Sequence, residues 1–294
     1  MRPWLGLTLG IAACSTAVIF IKASHTPPVW LAAERLLLAA LVIAPLALRD
    51  ARRAGGWSAV SLRSSLWPAC FLAAHFATWV VAARLIPAAN STLIANFTPV
   101  VMPLIALVTL RERVSINELV ATAVGVSGVA ILAMGDLDAG PAYLLGDGLC
   151  VVAMLALTIY LALARRLRRG SLWLYMMPLF ATAGLICTVA ALLLEGLPPL
   201  PAPGEALLVL GLALLPTVVG HSLMNRAMGE LRPQLVSLAG LGNVPCAALM
   251  AWVLWREVPS PLFYVTLVAY LAALALLILP GLRQRSAGTL EGNS

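Results

Sequence analysis

Ten apolar runs, each about the length needed to cross a bilayer, leave this chain few folds to choose from. They are Trp4–Ile21, Val29–Leu48, Leu66–Leu85, Ser91–Leu110, Ile116–Met134, Tyr143–Ala164, Leu172–Leu194, Glu205–Asn225, Gln234–Trp255 and Pro261–Leu279. Inside hydrocarbon every backbone polar group needs an internal partner, so a spanning segment is a helix or part of a closed barrel. Barrel strands are short and alternate in polarity. These runs are long and unbroken, which predicts an all-α integral membrane protein. Composition agrees: 62% of the 294 residues are hydrophobic and 11% are charged, too few charges to cover a soluble domain. The first run is too long for the apolar part of a signal peptide, so it reads as a retained span.

The basic residues set the topology. With the N-terminus placed in the cytoplasm, all 19 except Lys22, Arg35, Arg84 and Arg256 fall on the cytoplasmic side. Both termini are therefore expected there, in an inner membrane, and the net charge of +7 records orientation rather than a nucleic-acid surface. The longest loop, 49–65, reads as a basic cytoplasmic connection. Trp4, Trp30, Trp67, Trp173 and Trp255 read as interface anchors.

The chain also contains one stretch twice. Shifted by about 146 positions, His75 falls on His221, Leu85 on Leu231, Pro87 on Pro233, Ser91 on Ser237 and Pro99 on Pro245. A slip of about one residue then places Arg111-Glu112 on Arg256-Glu257. The seam at 135–141, with Asp136 and Asp138, divides the spans five and five. An odd number of spans turns the second half upside down. The expected architecture is ten transmembrane helices as two inverted five-helix repeats around a central cavity, residues 1–135 and 142–282, followed by a cytoplasmic tail at 283–294.

No Asp, Glu or Lys lies near the middle of an expected span, where a transported cation would need a counter-charge. That favours a neutral, zwitterionic or apolar solute. Glu34-Arg35 reads as a local ion pair at the outer end of span two. The candidate solute-binding residues are His75 and Trp79, one turn apart on one face, with His221 and Asn225 repeating that spacing, and Asn96 and Asn243. Each polar group either bonds a neighbouring helix or faces a solute. Pro99 and Pro245 are candidate kink or gating points; they free the carbonyls of Ala95 and Leu241, which the two Asn amides are placed to satisfy. Pro87 and Pro233 read as helix starts. Trp252 falls inside a span. Cys14, Ser15, Thr16, Met154 and Tyr160 are further candidates for a cavity wall, and Gly125 and Gly128 for close helix contact.

Enzyme signatures such as GxSxG and HExxH are absent. Five scattered cysteines without a CxxC suggest neither disulfide nor metal. No cofactor is expected, and the partners expected are a small-molecule solute and the bilayer, with no obligate protein partner evident. The alternatives to a transporter are a lipid-modifying membrane enzyme and a passive channel.

The run NFTPVVMPLIALVTLRERVS, the Gly-rich TAVGVSGVAIL and the weaker GNVPCAALMAWVLWREVPS resemble the EamA-type ten-helix branch of the drug/metabolite transporter superfamily. The runs AAHFATWVVAAR and ACSTAVIFIK are most similar to its YddG-type aromatic amino acid exporters. That resemblance implies a basket of ten helices working by alternating access around a largely hydrophobic cavity. It also implies a His at position 75 facing that cavity, and export of phenylalanine, tyrosine and tryptophan. At span one the chain has Ala13-Cys14-Ser15 where relatives often carry Trp-Gly.

Overall fold

The computed structural model describes residues 3–57, 59–111, 113–136, 140–168, 170–198, 202–231, 236 and 239–291. The helices are α1 (Pro3–Ser15), α2 (Ala17–Ala23), α3 (Pro28–Arg53), α4 (Ala59–Leu85), α5 (Ala88–Ala95), α6 (Thr98–Leu110), α7 (Ile116–Asp136), α8 (Pro141–Leu167), α9 (Leu172–Leu194) and α10 (Glu205–Leu212). A π-helical segment, Ala213–His221, runs from α10 into α11 (Ser222–Glu230). After a 3₁₀ turn at Gly240–Gly242 come α12 (Asn243–Trp255) and α13 (Pro261–Glu291). No strand occurs among the described residues. Of the sequence-marked positions, Arg2, Glu112, Asp138, Arg169, Arg232, Pro233, Gln234 and Ser237 lie outside them.

Among the described residues, eight helical stretches are long and apolar enough to cross a membrane: Trp4–Ala23, Pro28–Arg53, Leu62–Leu85, Ala88–Thr109, Ile116–Gly135, Pro141–Leu167, Leu172–Leu194 and Glu205–Glu230. Two shorter apolar helices follow, Gly240–Trp255 and Pro261–Leu277. Large apolar side chains such as Leu41, Val108, Leu193 and Val268 face outward, as a lipid-facing surface requires.

Several expected boundaries move. The basic loop at 49–65 shrinks, because α3 continues through Arg53 before Gly55 and Gly56 turn the chain at φ 79° and 122°. Arg52 and Arg53 thus occupy the last turn of α3, where positive charge suits the helix dipole. The segment read as a tail from residue 283 continues α13 to Glu291. The span around Asn96 is two helices with a break at Asn96–Phe97, and the first span breaks at Thr16.

Helices before the seam pack chiefly on helices after it. α1 lies against the π segment, α11 and α12; α3 lies against α9; α4 against α8 and α9; α7 against α13. Gly125 and Gly128 face Val100 and Ala269, so α7 approaches α6 and α13 closely. Carboxylates that the sequence places at span ends lock the same arrangement. Glu195 accepts from the N–H groups of Val29 and Trp30 (2.9 and 3.0 Å) at the start of α3. Glu257 accepts from Ala88 N–H (2.9 Å) at the start of α5 and pairs with Lys22 (2.5 Å). Glu205 gathers the 24–26 loop through Ser24, the His25 N–H and Thr26. Acids belong at helix N-termini, where unpaired N–H groups and the dipole welcome them.

The tryptophans divide. Trp4, Trp67 and Trp255 are exposed as anchors would be, but Trp30 is buried and donates from Nε1 to the Gly196 carbonyl (3.1 Å). Trp252 faces outward, with the Arg256 guanidinium 5.6 Å from its ring centroid.

Candidate functional site

A central cavity of about 60 Å³ lies where α1, α2, α3, α4, α5, α8, α11, α12 and the π segment converge. Space of that size holds roughly five waters and is well below the roughly 300–1,000 Å³ usual for a ligand pocket. Its lining joins apolar groups (Val18, Leu157, Leu161) to a polar set drawn from both halves of the chain.

α4 supplies His75 and Trp79. Spacing of four residues puts both on one helical face, and their rings stack with centroids 6.0 Å apart and planes inclined by 8°. The His75 Nδ1 lies 2.9 Å from the Ala153 carbonyl oxygen. A carbonyl only accepts, so Nδ1 carries a proton in this contact. Trp79 is buried, and its Nε1 has no hydrogen-bond partner among the described residues.

Asn96 and Asn243 meet across the cavity. Asn96 closes α5 with its Nδ2 donating to the Thr92 carbonyl (2.8 Å), and its Oδ1 accepts from Asn243 Nδ2 (3.1 Å). Asn243 Oδ1 in turn lies 3.0 Å from the Ser15 hydroxyl. The amides therefore bond each other and Thr92, not the Ala95 and Leu241 carbonyls expected to need them. The reason lies in the backbone. Pro99 falls in the first turn of α6, just after the break at Asn96–Phe97, and Pro245 in the first turn of α12, just after the 3₁₀ turn at Gly240–Gly242. A proline in a first turn removes an N–H that has no intrahelical partner in any case. Tyr270 donates its hydroxyl proton to the Asn96 carbonyl at the first break.

His221 also lines the cavity, with its ring edge-on to Phe76 at 5.1 Å. Asn225, one α-turn on, does not. Its Nδ2 donates to Tyr160 Oη and to the His221 carbonyl (2.8 Å for the latter), and the residue lines a second, wider cavity of about 510 Å³ with Arg165, Arg168 and Glu230. Among the described candidates, then, His75, Trp79, Asn96, His221 and Asn243 come together, and Asn225 stands apart. Cys14 and Ser15 line the central cavity, whereas Thr16, Met154 and Tyr160 do not.

Arg35 is the cavity residue that sequence reading placed elsewhere. It is fully buried and forms no ion pair with Glu34 or any other described carboxylate. Glu34 stands about 100° round the helix from Arg35, and its carboxylate makes no ion pair with the buried guanidinium. The guanidinium lies 4.1 Å from the Phe76 ring centroid, and its Nε donates to Thr217 Oγ1 (3.0 Å). Thr217 passes its own proton to the Leu212 carbonyl (2.8 Å), five residues back, within the wide turn of the π segment. The signal was present: an Arg seven residues into α3, with Leu31, Ala32, Leu38 and Ala39 where a helical acid partner would stand.

Among the described residues, no group of three or more His, Cys, Asp or Glu side chains is placed to hold a metal ion. The arrangement offers hydrogen-bond donors, a cation and aromatic faces in a small space between two halves of a helical bundle.

Comparison with known proteins agrees with that description. A protein of known crystal structure matches the fold with a TM-score of 0.68 at 18% identity, over 94% of this chain and 97% of its own. At that identity the likeness concerns the fold alone. No curated protein matches the chain. Residues 3–134 match the model of the EamA-like transporter family. The apolar helices of membrane-crossing length fit a multi-pass membrane protein, and the match over the first part of the chain is to a transporter family.

Proposed function

We propose that the protein exports small solutes across the inner membrane, aromatic amino acids foremost, by alternating access of two inverted five-helix repeats, residues 1–135 and 142–282. In this reading the chain has ten spans, both termini are cytoplasmic, and His75, Trp79, Asn96, His221 and Asn243 orient the solute. The observation that carries it is the meeting of the two duplicated stretches at one cavity, with Asn243 bonded to Asn96 (3.1 Å) and a histidine from each copy in the wall. The broken helices support it further. Breaks before Pro99 and Pro245, with the π segment between α10 and α11, are weak points where halves can hinge against each other.

The cavity volume of about 60 Å³ supports alternation over an open pore, because a solute as large as an indole needs the walls to part. One turn beyond the central cavity along α8 and α11, the wider cavity at Arg165 and Arg168 is the cytoplasmic vestibule of this reading, with the Tyr160–Asn225 pair beside it.

The test is efflux of radiolabelled phenylalanine from liposomes containing the purified protein, without any ion gradient, in competition with unlabelled phenylalanine. Saturable efflux, reduced tenfold or more in both His75→Ala and Trp79→Ala, is the expected result. Rapid, unsaturable efflux would make the protein a pore. No efflux from folded protein would exclude aromatic amino acids as the cargo.

A further inference from the structure

We infer that Arg35 is the anchor for a carboxylate on the solute, so that the cargo is an acid or a zwitterion and not a neutral or purely cationic molecule. The inference rests on the reading of the central cavity as the solute site. An Arg kept in a membrane protein for structure alone normally satisfies its guanidinium with carbonyls or an acid. Here only Nε is used, on Thr217 (3.0 Å), and both Nη1 and Nη2 are buried with no hydrogen-bond partner among the described residues. Those two nitrogens form the end of the fork that grips a carboxylate with two parallel hydrogen bonds. The Thr217 bond on one edge and the Phe76 face at 4.1 Å fix the guanidinium plane in advance.

A second group points to the same chemistry. Trp79 lines the same cavity, and its buried Nε1 also lacks a partner among the described residues. Guanidinium and indole N–H groups only donate. A cavity lined by residues that carry these unsatisfied donors, with a full positive charge and no Asp or Glu among them, is complementary to an oxyanion. An uncompensated buried charge is costly, and a carboxylate arriving with the solute removes that cost. The aromatic faces of Trp79 and Phe76 then leave the rest of the solute an apolar surface.

The experiment is binding to the purified full-length protein in detergent, followed by calorimetry and by tryptophan fluorescence. The probes are acetate and 3-phenylpropionate, each against its uncharged amide. Wild type is expected to bind the acids at least tenfold more tightly than the amides. Arg35→Gln is expected to erase that preference, and Arg35→Lys, which keeps the charge without the fork, to retain only part of it. Equal affinity for acid and amide in wild type would overturn the inference without recourse to any variant. So would an Arg35→Gln protein that still prefers the acids, or a wild type that binds neither. The outcomes separate this inference from the export reading. Acid-selective binding by a protein that moves no phenylalanine would sink only aromatic export. Saturable transport of phenylalaninamide as fast as phenylalanine would sink only the role of Arg35.

Discussion

His75 and His221 stand at matching places in the duplicated stretch, yet the chain holds them differently. His75 sits in the uninterrupted helix α4, bonded to Ala153 and stacked on Trp79. His221 ends a π-helical segment, and the position matching Trp79 is Asn225, tied to Tyr160 away from the central cavity. Where the first copy has Cys70 and Phe71, the second has Pro216 and Thr217. A regular helix in the first copy presents a fixed aromatic wall. The widened turn in the second gives up that regularity and gains a hydroxyl that reaches the guanidinium of Arg35. The two copies have divided the work, one supplying shape and the other supporting charge.

The comparison breaks most visibly at Gly220, which matches Ala74. A Cβ on Gly220 would come within 2.4 Å of Cys14 Sγ, 3.2 Å of Cys14 N and 3.3 Å of Gly10 O. The sulfur can rotate away, but the backbone of α1 cannot. Ala74, in contrast, already carries a Cβ and is only half-buried. Gly220→Val is expected to lower stability by about 3 kcal/mol through overpacking, and Ala74→Val by about 1 kcal/mol or less. Thermal unfolding of the two variants in detergent would decide it. Equal losses would mean that α1 and the π segment are not held in this close contact.

A smaller effect is expected at Thr217, against Phe71 in the first copy. Thr217→Val leaves Arg35 Nε and the Leu212 carbonyl without the hydroxyl they share. Losing such bonds costs about 1–2 kcal/mol in a membrane protein interior. Thr217→Ser is expected to restore the stability, while Phe71→Leu is expected to leave acid binding unchanged. If Thr217→Val unfolds at the wild-type temperature, the hydroxyl does not support the Arg.

Much of this division was hidden in the sequence for physical reasons. Apolar run length reveals helices, and the four-residue spacing of His75 and Trp79 reveals a shared face, because both depend on regular geometry. The prolines at 99 and 245 marked where helices are interrupted, though not that they begin the second pieces. Asn225 stands apart from the central cavity because its amide is taken by Tyr160 and the His221 carbonyl, which the four-residue spacing does not reveal. Around the π segment, cavity-lining residues follow as Pro216, His221 and Met224, so a five-residue step precedes a three-residue one. Pro216, which has no N–H for the regular helical bond, is the one mark of that wider turn in LALLPTVVGH. Arg35 was misread because adjacency to Glu34 suggested a local ion pair, whereas the guanidinium turns into the core toward Phe76 and Thr217.

The least disruptive comparison concerns the two ends that the copies share. Arg111 and Arg256 close α6 and α12 in the left-handed region, at φ 56° and 57°, and are the two non-glycine residues with positive φ among those described. In both, the backbone N–H reaches the carbonyl five residues back, Ala106 or Ala251. An L-residue pays about 1–2 kcal/mol for that conformation, and glycine does not. Part of the gain from glycine is lost through greater freedom of the unfolded chain and loss of a cation at the helix end. Arg111→Gly is therefore expected to raise stability by about 0.5 kcal/mol. Arg256→Gly is expected to be near neutral, because it also removes the guanidinium from the Trp252 ring, 5.6 Å away, a contact of about 0.5–1 kcal/mol at an exposed site. Repeating Arg256→Gly in a Trp252→Leu background tests the argument. If the cation–aromatic contact offsets the relief of backbone strain, the substitution becomes stabilising there and matches Arg111→Gly. If it stays neutral, the two ends differ in something other than that ring.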